Sequence, residues 1–371
     1  MARPLIVDGH LDIAMNAVDR NRDQRKSVAE LRQREREVFL PKRGTRRLVP
    51  KGRGVNTVAL PDMRGSNIGL TFGNVGARVA HEANDHVGYD GQELCHAAAQ
   101  GQVAYYDLLA SRGVIRYVRD GDDLDAHIAD WTDAIESGLD AADMPPVGLV
   151  LAMEGADPIL GPEDVASWWD RGLRMASLAH YGKSTYANGT GCEGGVTDAG
   201  YELLTAMNEA GMILDLTHLA EQAFWDAIEA FDGPVLASHC NCRALVPGQR
   251  QLDDEKLRAI IDRGGVIGVA LDVWMLQPGW TKGIHNEVTA TLEDLVDHID
   301  HICDLAGNTD HVAIGSDLDG GYGKEQVPRD LDTIADLQRL QGILEDRGYT
   351  PAAVDSILHG NWIRLLKSAW T

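Results

Sequence analysis

The sequence predicts a (β/α)8 barrel, and three observations carry that expectation. Short apolar runs alternate with amphipathic stretches along 371 residues, the order expected of parallel strands joined by helices. Several runs are apolar almost throughout, as strands buried on both faces are. The long polar insertions all follow such runs, on the side where a barrel carries its active-site loops.

Eight strands are predicted: "LIVDGH" from Leu5, "VNTVAL" from Val55, "VGLVLAMEG" from Val147, "LRMASLAH" from Leu173, "MILDLTH" from Met212, "PVLASH" from Pro234, "GVIGVALD" from Gly265 and "HVAIGSD" from His311. Helical stretches fall between them. "DAGYELLTAMNEAG" opens with Asp198 as a cap and stops at Gly211, using the cap preferences of the two helix ends. "AEQAFWDAIEAF" from Ala220 and "DDEKLRAIIDRGG" from Asp253 read likewise, and "TLEDLVDHIDHICDLAG" from Thr291 has an apolar stripe at helical spacing. The insertions run from Pro61 to Gly101, His180 to Thr197 and Trp274 to Thr289; those around Tyr89, Tyr186 and Trp274 shape the pocket, and Trp274, Trp280 and Tyr322 are read as lining it or as packing at its rim. "HGNWIRLLKSAW" from His359 is the closing helix, packing Trp362, Leu365 and Leu366. Without a fixed-period repeat or a Pro- or Ser-rich linker, residues 1–371 read as a single domain.

The composition, 44% apolar and 25% charged, is that of a globular protein. The net charge of −23 argues against nucleic acid and anionic membranes as partners. Between Arg20 and Arg53 lie 13 of the 34 basic residues, read as a solvated helix and loop or as a contact patch for an acidic subunit surface. Five cysteines without regular spacing read as free thiols. No signal peptide is recognised, and no apolar run reaches the roughly 18–20 residues that span a bilayer. The expected location is cytoplasmic. The expected assembly is a homodimer, the commonest symmetric form.

Ionisable residues recur at the ends of the apolar runs: His10 and Asp12, Glu154, His180, His218, His239 and Asp317. Residues two apart on a strand share a face, so His10 and Asp12 point together. Each alone is compatible with a structural role: a satisfied buried histidine, or an Asp in a turn. Together, at the C-terminal mouth of a barrel, they converge and would repel or desolvate one another unless cations bind. Three histidines with carboxylates and no thiolate pair suit Zn2+, with Mn2+, Co2+ or Fe2+ as other ions. The ligand count fits two ions bridged by Glu154, sharing a hydroxide that attacks a carbonyl. Asp317 is placed to carry the proton to the leaving amine.

"DGHLD" at Asp8, "EGA" at Glu154, "LTH" ending at His218, "SHCN" at Ser238, "GSDLDG" at Gly315 and the closing "HGNWIRLL" resemble, in order, the membrane dipeptidase (renal dipeptidase) family of zinc peptidases. The resemblance implies that His10 and Asp12 bind one metal, that His218 and His239 bind the other, and that Glu154 bridges. It implies proton transfer by Asp317, carbonyl polarisation by His180 and a carboxylate clamp at Arg250, eleven residues past His239, with Arg243 as the nearer competitor. A guanidinium forks onto a carboxylate. The lipid-anchor tail of animal members has no counterpart here, and Cys240 stands where small polar residues are usual.

The expected function is therefore a binuclear, metal-dependent dipeptidase acting on short dipeptides, a C-terminal D-residue included. The alternative is a related barrel hydrolase acting on N-acyl amino acids, lactones or cyclic amides. Many of those carry His-x-His on the first strand, where this chain has His10-x-Asp12. A non-enzymatic scaffold would lack ligands, and no motif position is missing.

Overall fold

The computed structural model describes residues 3–39, 52–80, 88–282, 284, 285 and 287–370. Nine parallel strands are present among them: β1 (Ile6–Leu11), β2 (Ile68–Gly76), β3 (Ile115–Tyr117), β4 (Val147–Glu154), β5 (Leu173–Ala176), β6 (Ile213–Asp215), β7 (Val235–Ala237), β8 (Val266–Val269) and β9 (Val312–Ile314). Eight of them close into the expected barrel in the order β1-β2-β4-β5-β6-β7-β8-β9, with β9 returning to β1. The ninth, β3, pairs with the first half of β4.

Two apolar layers hold this arrangement. The outer layer lies between strands and helices and includes Ile6, Leu149, Leu214, Leu257 and Ile299. The inner cluster takes a residue from every barrel strand: Val7, Phe72, Val150, Met175, Ile213, Leu236, Val266 and Ala313. Trp362, Leu365 and Leu366 of the helix Asn361–Ala369 join it, as the sequence predicts. Asn361 Nδ2 donates to the carbonyls of Thr309 and Val312, at the start of β9. Trp362 thus enters the barrel from the end opposite the strand C-termini and reaches up inside it to the Ile314 carbonyl, its ring edge-on to Phe72 at 4.9 Å. Gly9 makes room for it, since a Cβ there would lie 2.5 Å from the indole.

The sequence misplaces one strand. "VNTVAL" from Val55 is buried but joins no ladder; its hydrogen bonds go to loops, from Lys324 N to Val55 O and from Ile334 N to Thr57 O. The barrel strand is β2, inside the stretch 61–101 that reads as an insertion. Its glycines resemble turn residues, yet Gly69 and Gly73 serve close packing: a Cβ would lie 2.8 Å from Trp131 and 2.4 Å from Leu149. At the helix Asp198–Ala210 the cap is Thr197 rather than Asp198, its side chain accepting from Gly200 N.

In the basic segment, Arg22 departs from a solvated face. It is buried, and its Nε lies 3.0 Å from Glu35 Oε1 on the helix Val28–Phe39. The stretch 40–51 of that segment lies outside the described residues. All five cysteines are free, and no described helix is long and apolar enough to cross a membrane.

Candidate metal centre

The seven residues singled out in the sequence meet at the C-terminal mouth of the barrel. Glu154, the last residue of β4, is at the centre. Its Oε1 lies 3.2 Å from His218 Nε2, 3.3 Å from His239 Nε2 and 3.9 Å from His10 Nε2. Asp12 Oδ1 lies 3.9 Å and Asp317 Oδ1 4.0 Å from His10 Nε2. His180 Nε2 approaches the other Glu154 oxygen at 3.5 Å. Ligand atoms of His10, Asp12 and Glu154 fall within 4.8 Å of one another, as do those of Glu154, His218 and His239.

Second partners orient these side chains. Asn74 Nδ2 on β2 donates to Asp12 Oδ1 at 2.7 Å. Asp8 accepts from His10 N and from both the N–H and the hydroxyl of Ser316, tying the start of the centre to its end. Thr190 Oγ1 donates to the His218 carbonyl, so its lone pair receives the His218 Nδ1 proton at 3.0 Å. Ser238 Oγ donates to Asp215 at 2.6 Å and receives the His239 Nδ1 proton at 2.9 Å. Both histidines then present a bare Nε2, and these two nitrogens face each other at 3.2 Å. Two lone pairs at that distance repel unless a cation lies between their directions. His10 Nε2 is likewise buried without a hydrogen-bond partner. The donor set fits divalent cations bound by imidazole and carboxylate.

The electrostatics agree. Burial pushes His239 and His180 down to about 4 and His218 well below its ordinary value, so the imidazoles are neutral, as ligation requires. Burial pushes Asp12 up to about 6. Asp317 is driven well above the carboxylate range by burial and by the charges of Glu154 and Asp12. The backbone shares the burden: His218 and Asp317 sit at φ 68° and 56°, a left-handed conformation that non-glycine residues rarely adopt and that clusters at functional sites. Gly320 is needed beside Asp317, because a Cβ there would lie 1.8 Å from its Oδ1.

A cavity of about 580 Å3 opens over the centre, a size that takes a small ligand. Its wall includes Arg250, whose guanidinium is fixed by the His239 carbonyl and Cys240 Sγ. Arg243 is engaged by Glu221 and Asp253 and does not line the cavity. Tyr89 and Trp274 line it, whereas Tyr186, Trp280 and Tyr322 are buried and do not, and the aromatic facing His180 is Tyr181. Sequence reasoning passed over Asn74, Arg78, Asp215 and Thr190. Asp215 had a signal, a carboxylate inside an apolar run. Asn74 and Arg78 had none once β2 was misplaced.

Known proteins supply a family and a fold for comparison. A family model described as membrane dipeptidase, peptidase family M19, matches residues 96–371. An uncharacterised protein from the pqqA 5′ region of Klebsiella pneumoniae is 34% identical over 60% of this chain and 83% of that protein. The dipeptidase tcpJ of Claviceps purpurea is 30% identical over 53% of this chain but only 44% of its own length. The chain has the same fold as a metallopeptidase from Rhodobacter sphaeroides crystallised with a phosphinate mimic of L-Ala-D-Ala, with a TM-score of 0.76, 22% identity and 99% and 100% of the two chains covered.

Proposed function

Because the chain belongs to the membrane dipeptidase family, we propose that it is a metal-dependent dipeptidase whose centre takes two divalent cations, with zinc favoured by its ligands. One observation carries this reading: the Nε2 atoms of His10, His218 and His239 converge within 3.9 Å of one Glu154 oxygen, beneath a cavity walled by Arg250. His10 and Asp12 would hold one ion, His218 and His239 the other, and Glu154 both. Bound there, the cations would supply a water activated at neutral pH and a polarised carbonyl.

The residues of the chain do the rest. Arg250 offers its guanidinium to the terminal carboxylate of the substrate and sets the register of the peptide bond. His180 donates from Nε2 to the oxygen that gains charge as the carbonyl carbon becomes tetrahedral. Asp317 takes the proton released on attack and delivers it to the nitrogen as the C–N bond breaks. The products are two free amino acids. A D-residue on the carboxyl side is accepted in this reading, supported by the ligand of the Rhodobacter relative.

Metal-loaded protein is expected to hold two ions per chain and to cleave members of a dipeptide panel. Arg250→Met should lower kcat/KM for free dipeptides by about 10²-fold. Full metal content with no cleavage of any member would overturn the reading.

A further inference from the structure

Three of the four imidazoles at Glu154, those of His218, His239 and His180, are sorted by what touches Nδ1. For His218 and His239 the partner is a hydroxyl whose own proton is already given away, to the His218 carbonyl and to Asp215. That hydroxyl accepts, so the lone pair stays on Nε2. For His180 the partner is Arg78, whose Nη1 lies 2.6 Å from His180 Nδ1. A guanidinium has N–H donors and no lone pair to accept with. The bond therefore runs one way, Nδ1 is the acceptor, and the ring proton of the neutral imidazole sits on Nε2.

We infer that Arg78 is a positioning residue, holding His180 in the Nε2-protonated tautomer so that it meets the substrate carbonyl as a donor and not as a further metal ligand. This rests on the dipeptidase reading for the substrate but not for the tautomer. The opposite tautomer would turn a lone pair toward the Glu154 carboxylate, 3.5 Å from Nε2, and toward the carbonyl oxygen.

The loops are built to keep the pair together. Arg78 follows β2 by two residues, and its carbonyl accepts from Tyr89 N at 2.8 Å. The next residue, Val79, donates its N–H to Asp157 Oδ2 at 3.0 Å. The other Asp157 oxygen accepts from Ser184 Oγ and Thr185 N, both at 2.9 Å, in the loop that carries His180. The guanidinium also lies 5.6 Å from the centroid of the Tyr181 ring, next in sequence to His180, a cation–π contact.

The test compares metal-loaded wild type with Arg78→Met and Arg78→Lys. Nitrogen NMR of 15N-histidine-labelled protein, with His180 assigned through His180→Asn, should show a bare Nδ1 in wild type and in the lysine variant. The methionine variant should show a mixture of tautomers. Its kcat for a dipeptide should fall about 10–10²-fold with KM changed less than about threefold, and lysine should restore most of the rate, following the effect of removing one oxyanion donor. A protonated Nδ1 in wild type would overturn the inference whatever the activity. So would a methionine variant with unchanged kcat, or one whose loss lies in KM, which would make Arg78 a direct substrate contact. Absence of dipeptide cleavage by wild type would instead sink the dipeptidase reading, and the nitrogen spectra would still decide the tautomer.

Discussion

The two ends of the barrel are built on opposite terms. At the closed end, Trp362 fills the space between strands, its Nε1 bonded to the Ile314 carbonyl and its ring against Phe72. At the open end the same strands lead into His10, Glu154, His218 and His239, all buried, with His10 Nε2 left without a hydrogen-bond partner. The closed end is apolar surface removed from water, which favours folding. The open end is desolvated charge and left-handed backbone, which oppose it. The difference teaches that this fold is stabilised at one end and spends that stability at the other, where cations restore the balance.

The comparison can be broken first at its centre. Glu154→Ala should abolish loading of both ions and lower activity at least about 10³-fold. Because it removes a buried carboxylate from among unpaired groups, the metal-free variant should melt at the same temperature as metal-free wild type or higher. A lower melting temperature would show that the cluster supports the fold without metal. Next, Trp362→Ala should cost about 3–5 kcal/mol in denaturant unfolding, the range for a large buried aromatic. Metal content per folded chain should stay unchanged, and a cost below about 1 kcal/mol would mean the closed end is not the anchor. The smallest effect is the sharpest. Asp12 is pushed up to about 6 by burial, so its protonated, poorly ligating form accumulates as pH falls through that value. His239, at about 4, stays neutral throughout. Metal affinity should therefore be full at pH 7.5 and about fourfold weaker at pH 5.5. Calorimetric titration at both values measures this, and an unchanged affinity would return Asp12 to an ordinary carboxylate.

The sequence discloses the open end better than it discloses the barrel wall. The candidate ligands were legible because each ionisable residue closes an apolar run, a placement that burial alone does not favour. The family resemblance pointed to Arg250 through its spacing from His239, and the structure distinguishes it from Arg243 by the partners each one has. The segment "VNTVAL" deceived because burial and alternation look alike in a strand and in a loop tied down by Asp319, which accepts from Thr57 and Val58 N–H. β2 hid because its glycines answer to neighbours, Trp131 and Leu149, that are far away in sequence. With β2 went Asn74 and Arg78. The tautomer logic was out of reach for the same reason: it depends on which heteroatom stands beside Nδ1, and that is set by loops meeting in space.

The seam between β1 and β9 has one more consequence. Asp8 and Ser316, 308 residues apart, are bonded across it, and His10 and Asp317 stand on either side. Pairings so distant form late, after the loop entropy between them has been overcome. A ribosome must release the chain past Ser316 before this seam can join. The part of the centre that needs both His10 and Asp317 is therefore completed only after β9 has emerged, and a chain cut short before that strand would hold only fragments of the pocket.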